Sequence, residues 1–366
     1  MIKVFQKQSQ KVFVALSGGV DSSTSSALLK EQGYDVTGVF IRVWQPDFLE
    51  CNWREDRRDA MRVCAHLNIP FLEFNFEEEY KKEVADYMIN EYKIGRTPNP
   101  DIMCNQQIKF GAFLDKALSI GADYIATGHY ARLQPENLSS KSQVLKLLIG
   151  ADKNKDQSYF LWTLGQDKLK YVLFPIGEYQ KSKVRELAKK FSLPTFEKKD
   201  SQGICFIGKL DMKTFLKNYI DEKRGNVLNE EGKIIGWHNG TLFFTLGERH
   251  GFTITEKGTD DKPYYIIAKD IEKNALIVSH FINFKEKDKL RIKIDNTNWI
   301  SGKEPDIKNK YKVRYRYRQE LQDCKITSIK ENSATIEFME DQITASSGQS
   351  LVLYLDEEVI GGGIII

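Results

Sequence analysis

Three short segments hold the residues whose types and spacing suit chemistry. Ser17-Gly18-Gly19-Val20-Asp21-Ser22-Ser23 has two adjacent glycines flanked by hydroxyls. Placed between a strand and a helix, such a loop lets the backbone approach an anion, with successive N–H groups and the helix dipole facing it. Ser17, Ser22 and Ser23 can add hydroxyl donors, and Asp21 can cap the helix or approach a metal. The bland alternative is a glycine turn with a serine-rich cap. The loop lacks the lysine of a G-x-x-x-x-G-K-[ST] phosphate loop.

The other two segments are built around thiols. Cys104 follows Arg96-Thr97-Pro98-Asn99-Pro100-Asp101-Ile102-Met103, where two prolines interrupt the helical pattern before a helix expected over 105–119. That places the thiol at or near a helix N-terminus, where the dipole favours thiolate. Cys205 lies in Lys198-Lys199-Asp200-Ser201-Gln202-Gly203-Ile204-Cys205-Phe206, beside cations that would lower its pKa. Either cysteine alone is as readily a core residue. The five cysteines, Cys51, Cys64, Cys104, Cys205 and Cys324, form neither a disulfide framework nor a C-x-x-C zinc pattern.

The elements that must position these residues follow from periodicity. From 11 to about 127, short β-rich runs alternate with amphipathic helical stretches, the pattern of a parallel sheet covered on both faces. Strands are expected over 11–16, 35–43, 71–74 and 124–127, with helices over 21–32, 55–67 and 181–191. Polar 135–142 reads as a loop. After about Phe206, runs such as 241–246, 264–268 and 275–278 suggest a small β-rich domain, and 312–318, 334–338 and 350–355 an antiparallel sheet or barrel. The α/β chain therefore divides into 1–205, a nucleotide domain with a parallel sheet; 206–285, a small β-rich central domain; and 286–366, a C-terminal antiparallel β-barrel. Its length of 366 residues exceeds the roughly 250 to 300 at which single cores stop growing.

With 41% hydrophobic and 29% charged residues, the composition is that of a folded globular protein, and no apolar run approaches a membrane span. The N-terminus has no export signal, so a cytoplasmic enzyme with no membrane contact is expected. A net charge of +3 does not announce a nucleic-acid partner. The stretch 310–318, however, alternates cations with aromatics at strand period and would present a cationic face to phosphates, or else be a solvated edge strand.

The loop at 17–22 resembles that of the PP-loop ATP pyrophosphatases, which activate an oxygen by adenylation. Together with Thr97-Pro98-Asn99-Pro100-Asp101 followed by Cys104, and with Gly203-Ile204-Cys205-Phe206-Ile207-Gly208, it resembles the tRNA-specific 2-thiouridylase family. Gly128-His129-Tyr130-Ala131-Arg132, 155–161 and Thr245-Leu246-Gly247 extend the match along almost the whole chain. The resemblance implies ATP contacts at Ala15, Leu16, Ser17, Gly18, Gly19, Val20, Asp21, Ser22, Ile41 and Gly128. It implies a persulfide on Cys205, with Cys104 as the second catalytic cysteine, and Asn99, Pro100 and Asp101 at the target base, Asp101 assisting proton transfer. It implies tRNA contacts at His129, Lys155, Asp156, Gln157, Arg316, Tyr317 and Gln349.

The expected reaction is ATP-dependent thiolation of the wobble uridine of the tRNAs for Lys, Glu and Gln. Mg²⁺ is expected with ATP but without identifiable protein ligands, and a cysteine desulfurase or sulfur-relay protein is expected as sulfur donor. Two departures stand out: Val43 replaces an asparagine usual after Ile41, and Gln202 replaces a threonine before Gly203. A PP-loop ligase, a non-catalytic RNA-binding protein and a redox sensor using Cys104 and Cys205 are the competing readings.

Overall fold

The computed structural model describes residues 9–48, 53–136, 144–199, 212–255, 262–281, 291–339 and 345–366. The N-terminal unit begins with β1 (Lys11–Ala15), whose Val12 and Val14 are fully buried, as expected of a strand covered on both faces. Next come α1 (Val20–Glu31), β2 (Asp35–Arg42), α2 (Trp53–Leu67) and β3 (Phe71–Asn75). Two longer helical runs follow, α3 over 77–93 and α4 over 100–119. Each widens into π-helical turns, at Lys81–Asp86 and Cys104–Ala112 respectively. Then come β4 (Tyr124–Ala126), β5 (Ala131–Pro135), β6 (Leu145–Ile149), β7 (Val172–Leu173) and α5 (Lys181–Lys190).

The sheet order is β3-β2-β1-β4-β7, with every pairing parallel. The order reverses at β1, with β2 on one side and β4 on the other. That crevice at the carboxyl ends of the strands is where open α/β sheets bind ligands. Helix α1 is buried although it is rich in serine, because its hydroxyls are satisfied within the helix: Ser23 Oγ donates to the Gly19 carbonyl (2.7 Å), Thr24 Oγ1 to Val20 (2.8 Å) and Ser25 Oγ to Asp21 (3.0 Å).

The central unit is a second sheet of β8 (Gly225–Leu228), β9 (Ile234–His238), β10 (Thr253–Ile254), β11 (Tyr265–Asp270) and β12 (Ala275–Ser279), in the order β10-β9-β8-β12-β11. The run expected as a strand over 241–246 instead begins with a 3₁₀ turn, Thr241–Phe243. There Thr241 N–H and Oγ1 both reach Asn274 Oδ1, a side-chain acceptor that competes with ladder pairing.

The C-terminal unit comprises β13 (Arg291–Trp299), β14 (Tyr311–Arg314), β15 (Gln322–Lys330), β16 (Ser333–Phe338), β17 (Ser350–Leu355) and β18 (Glu358–Ile365). The sheet runs β13-β16-β15-β14-β17-β18, and β18 pairs back onto β13, closing a barrel over Ile294, Val313, Ile326, Ile336, Leu351 and Leu353. Closure removes the exposed edges of an open sheet.

Most of the loop expected over 135–142 lies outside the described residues; on either side of it β5 and β6 pair antiparallel, and β6 pairs with the start of β18, extending the C-terminal sheet. One sequence expectation changes here. The strand expected over 312–318 ends at Arg314. Tyr315 and Arg316 N–H groups then donate to Gln319 Oε1, and Arg318 takes a left-handed φ of 63°. Alternation beyond 314 is therefore not strand alternation, and the continuous cationic face is not formed. Arg314 is buried, its guanidinium paired with Asp156 and its Nε donating to the Tyr354 hydroxyl at 2.9 Å. The expected boundaries at 205/206 and 285/286 lie outside the described residues. No helix among the described residues is long and apolar enough to cross a membrane.

Candidate active site

Ala15 and Leu16 end β1, and the chain turns at once through Ser17, Gly18 and Gly19 into α1. Gly18 has φ +72°, and a Cβ there would run into the Asp56 backbone carbonyl, so this turn requires glycine. Gly19 is the N-cap of α1 and, having no side chain, leaves the first-turn N–H groups of Val20, Asp21 and Ser22 uncapped from within the helix. Ser22 Oγ accepts from Ser17 N–H (3.2 Å) and tightens the loop. Gly128, just beyond β4, packs so closely that a Cβ would sit 2.8 Å from Ser22 N. Ile41 lies near the end of β2. The expected nucleotide residues thus gather at the carboxyl ends of three adjacent strands. Uncapped donors, a glycine turn and flanking hydroxyls fit a polyphosphate.

Asp21 is held by two residues that the sequence reading did not select. Lys181 Nζ lies 2.8 Å from Oδ1 and 2.9 Å from Oδ2, and the Tyr130 hydroxyl donates to Oδ1 at 2.8 Å. Lys181 is the first residue of α5, the end where the helix dipole disfavours a cation. A lysine there needs a nearby anion, and that was the available sequence signal. Among the described residues no group of three His, Cys, Asp or Glu side chains could hold a metal. With Asp21 already paired, no step is assigned to a protein-held metal.

Helix α4 starts earlier than expected, at Pro100. Asn99 is its N-cap, accepting from Asp101 N–H (3.1 Å) and Ile102 N–H (3.3 Å), and Pro100 occupies the position where a missing N–H costs nothing. Asn-Pro is a helix start here, not a break. Asp101 is half-buried in the first turn. Cys104, 3% exposed, begins the π-helical stretch, one turn inside the helix. Burial pushes the thiols of Cys64 and Cys324 up to about 11 and about 12, the range of inert core cysteines.

Cys205 lies outside the described residues. Lys198, expected to act on its thiol, is paired with Asp56 and Asp59, both at 2.7 Å, so its charge is already compensated. The same ion pairs tie the chain ahead of residue 200 to α2, whose Asp56 backs Gly18.

Asn99, Arg316, Tyr317 and Gln349, far apart in sequence, line one pocket together with Thr97, Pro98, Tyr159 and Tyr315. Tyr317 packs on Phe160 with ring centroids 4.6 Å apart, and Arg316 Nη2 donates to the Leu246 carbonyl at 2.7 Å. Lys155 is half-buried, and Gln157 Oε1 accepts from Tyr130 N–H at 3.0 Å.

Two expected tRNA contacts are placed elsewhere. Asp156 is 5% exposed, accepting from the N–H groups of Gly150 and Ser158 and pairing with Arg314, so it joins the N-terminal unit to the barrel. His129 is 7% exposed, packed between Phe110 and Phe174, with Nδ1 2.7 Å from Thr127 Oγ1. Burial, helped by Lys109, holds its pKa well below the ordinary histidine value, so the ring is neutral.

Family models described as a tRNA methyl transferase HUP domain, a tRNA methyl transferase PRC-barrel domain and an aminomethyltransferase beta-barrel domain match residues 10–209, 213–280 and 289–365. Curated relatives from Francisella tularensis subsp. holarctica and subsp. novicida, both named tRNA-specific 2-thiouridylase MnmA, are 44% identical over 98% of this chain and 100% of theirs. The chain belongs to the tRNA-specific 2-thiouridylase family. As a member of it, the chain is a tRNA-modifying sulfurtransferase with a HUP domain, a PRC-barrel domain and a C-terminal β-barrel. Solved structures match about half of it. A 4-thiouridine synthetase in complex with RNA and ATP is 21% identical over 54% of this chain and 44% of that one, with a TM-score of 0.35. An NMN synthetase from Francisella tularensis is 17% identical over 52% and 66%, with a TM-score of 0.32. At these scores the likeness adds nothing to the family assignment.

Proposed function

We propose that this thiouridylase is a cytoplasmic enzyme that replaces the 2-oxygen of the wobble uridine of the tRNAs for Lys, Glu and Gln with sulfur, at the expense of ATP. The observation that carries the reading is the meeting of Asn99, at the head of the Cys104 helix, with Arg316, Tyr317 and Gln349 of the barrel around one pocket. A base entering there meets Asn99, the N-cap of the helix whose first turn carries Asp101 and which continues into Cys104. Single-stranded loops are suitable substrates because their bases can be splayed out at little cost.

ATP binds along Ala15–Ser22, with Ile41 and Gly128 beside it and Mg²⁺ carried mainly by phosphates and water. The uridine O2 attacks the α-phosphate, pyrophosphate leaves, and the 2-oxygen becomes part of an AMP leaving group. Asn99 and Pro100 hold the base, while Asp101 takes or polarises the N3 proton. Cys205 carries the incoming sulfur as a persulfide supplied by a desulfurase or relay protein. Either the Cys104 thiolate attacks the Cys205 sulfur first, forming a Cys104–Cys205 disulfide and releasing hydrosulfide that displaces AMP from C2, or the terminal persulfide sulfur displaces AMP from C2 and the Cys104 thiolate then cleaves the S–S bond, leaving 2-thiouridine and the same disulfide. An external thiol then reduces the disulfide. Lys155 and Gln157 flank the tRNA.

The test is incubation of the purified chain with ATP, Mg²⁺, a desulfurase sulfur source and unmodified tRNA, followed by nucleoside mass analysis. Product should be 2-thiouridine and should disappear in Cys104→Ser and in Cys205→Ser. ATP turnover without thiolation sinks the reading in favour of a ligase, and full activity in either serine variant removes that cysteine from the mechanism.

A further inference from the structure

The Asn99–Cys104 segment is not held by its own domain alone. Helix α3 ends at Lys93 and is closed by Gly95, which has φ +82°, with Gly95 and Arg96 N–H groups donating back to the carbonyls of Tyr92 and Glu91. The carbonyl of Gly95 itself is taken by a side chain from another unit: Lys269 Nζ, on β11 of the central sheet, lies 2.9 Å from it. The same ammonium lies 2.8 Å from the Phe244 carbonyl. Lys269 therefore joins the end of α3 to the central domain through one charge-assisted hydrogen bond at a helix C-terminus, where a cation is favoured, while its bond to Phe244 holds the ammonium in place within its own unit. The neighbouring Ile271 packs so tightly on Gly95 that a Cβ at that position would run into it.

Two residues further on, Thr97 is 8% exposed; its N–H donates to the Ser347 carbonyl of the barrel (2.8 Å), and its hydroxyl lies 3.3 Å from Thr245 Oγ1 of the central unit. All three units thus meet on residues 95–97, and Asn99 and Cys104 follow directly. Four residues of extended chain reach at most about 14 Å, so a shift at Gly95 has little slack before Asn99.

We propose that Lys269 is a positioning residue for thiolation, anchoring the end of α3 so that Asn99 is fixed at the pocket and the helix it caps, with Cys104 one turn on, is held in place behind it. The function of the central domain is then mechanical: it supplies the latch on which the catalytic segment is set. Burial of the ammonium pushes its pKa down to about 8, opposed by Glu248, the cost of removing a cation from water to bind two carbonyls. Glu248 is itself paired with Lys213 at 2.9 Å.

The role rests on the thiolation reading, and two readouts keep their failures apart. In the full-length protein, Lys269→Met keeps the aliphatic length and removes the ammonium, while Lys269→Arg retains a cation. The first readout, needing no activity, is the alkylation rate of Cys104 followed peptide by peptide by mass spectrometry, with buried Cys64 and Cys324 as internal references. Lys269→Met should speed Cys104 alkylation about tenfold or more, leave Cys64 and Cys324 protected, and be largely reversed in Lys269→Arg. The second is a fall of about 10- to 100-fold in kcat for 2-thiouridine formation with the KM for ATP unchanged, the loss expected from removing charged hydrogen bonds that orient a reacting group. Unchanged Cys104 alkylation, or a parallel rise at all three cysteines, overturns the proposal. A wild-type protein that forms no 2-thiouridine refutes the functional reading and leaves the alkylation result to decide the latch.

Discussion

Asn99 has two separable roles, and its substitutions should pull them apart. Its Oδ1 accepts from Asp101 and Ile102 N–H groups, capping α4, while the side chain also lines the pocket shared with Tyr159, Arg316 and Gln349. Asn99→Ala removes both roles. Loss of an N-cap costs about 1 kcal/mol, and for a unit of this size that lowers the unfolding midpoint by roughly 2–4 °C. Asn99→Asp retains an acceptor and adds a negative charge at the positive end of the helix, worth about 0.3–1 kcal/mol, so its midpoint should equal or exceed that of the wild type. It nevertheless loses the amide donor on the pocket side. A neutral hydrogen bond contributes about 0.5–1.5 kcal/mol, so kcat/KM for tRNA thiolation should fall roughly 3- to 10-fold in the aspartate variant, and further in the alanine variant. Differential scanning fluorimetry and steady-state thiolation on the same preparations measure the two effects. Equal midpoints for Ala and Asp would refute the capping argument, and full activity of Asn99→Asp would refute the pocket-side role.

Two further outcomes follow from the geometry. Gly18→Ala places a Cβ at positive φ against the Asp56 carbonyl; the backbone term alone is about 1–2 kcal/mol, so ATP affinity by calorimetry should drop about tenfold or more, and wild-type affinity would contradict the glycine requirement. His129 is neutral in the folded chain and protonates freely only when unfolded, so the unfolded state binds the extra proton and stability should fall as pH drops below about 6.5. Urea midpoints measured down this range should show that acid loss, weaker in His129→Gln; an identical pH slope in the variant would refute the assignment.

Much of the site was legible because its signals are local. A strand, two glycines and a serine-rich helix are adjacent in the chain, so Ser17–Ser22 could be read as an anion-binding loop without knowing the fold. Asn99-Pro100 was equally local but was read as a break, although cap-then-proline is a helix start. Charge was the least legible property. Lys181, Arg314, Lys198 and Lys269 look like any surface cation in sequence, yet each is committed to a partner: Asp21, Asp156, the pair Asp56 and Asp59, or two backbone carbonyls. The cationic alternation over 310–318 failed for the same reason. Period-two patterning says which side chains share a face only while the strand lasts, and this strand stops at Arg314.

By itself, then, the sequence determined the parallel-sheet frame that presents the glycine-rich loop and the all-β character of the C-terminal half, because each is encoded by neighbours within one element. Tertiary structure alone decided that Asn99 meets Arg316, Tyr317 and Gln349, that β5 and β6 extend the C-terminal sheet, and that Asp156 and His129 face inward. Those outcomes depend on the path of the chain between residues far apart in sequence, more than a hundred positions in every case but His129, which Phe110 and Phe174 enclose. Whether a polar side chain meets water or a buried partner is fixed by what that path brings against it, not by its neighbours in sequence.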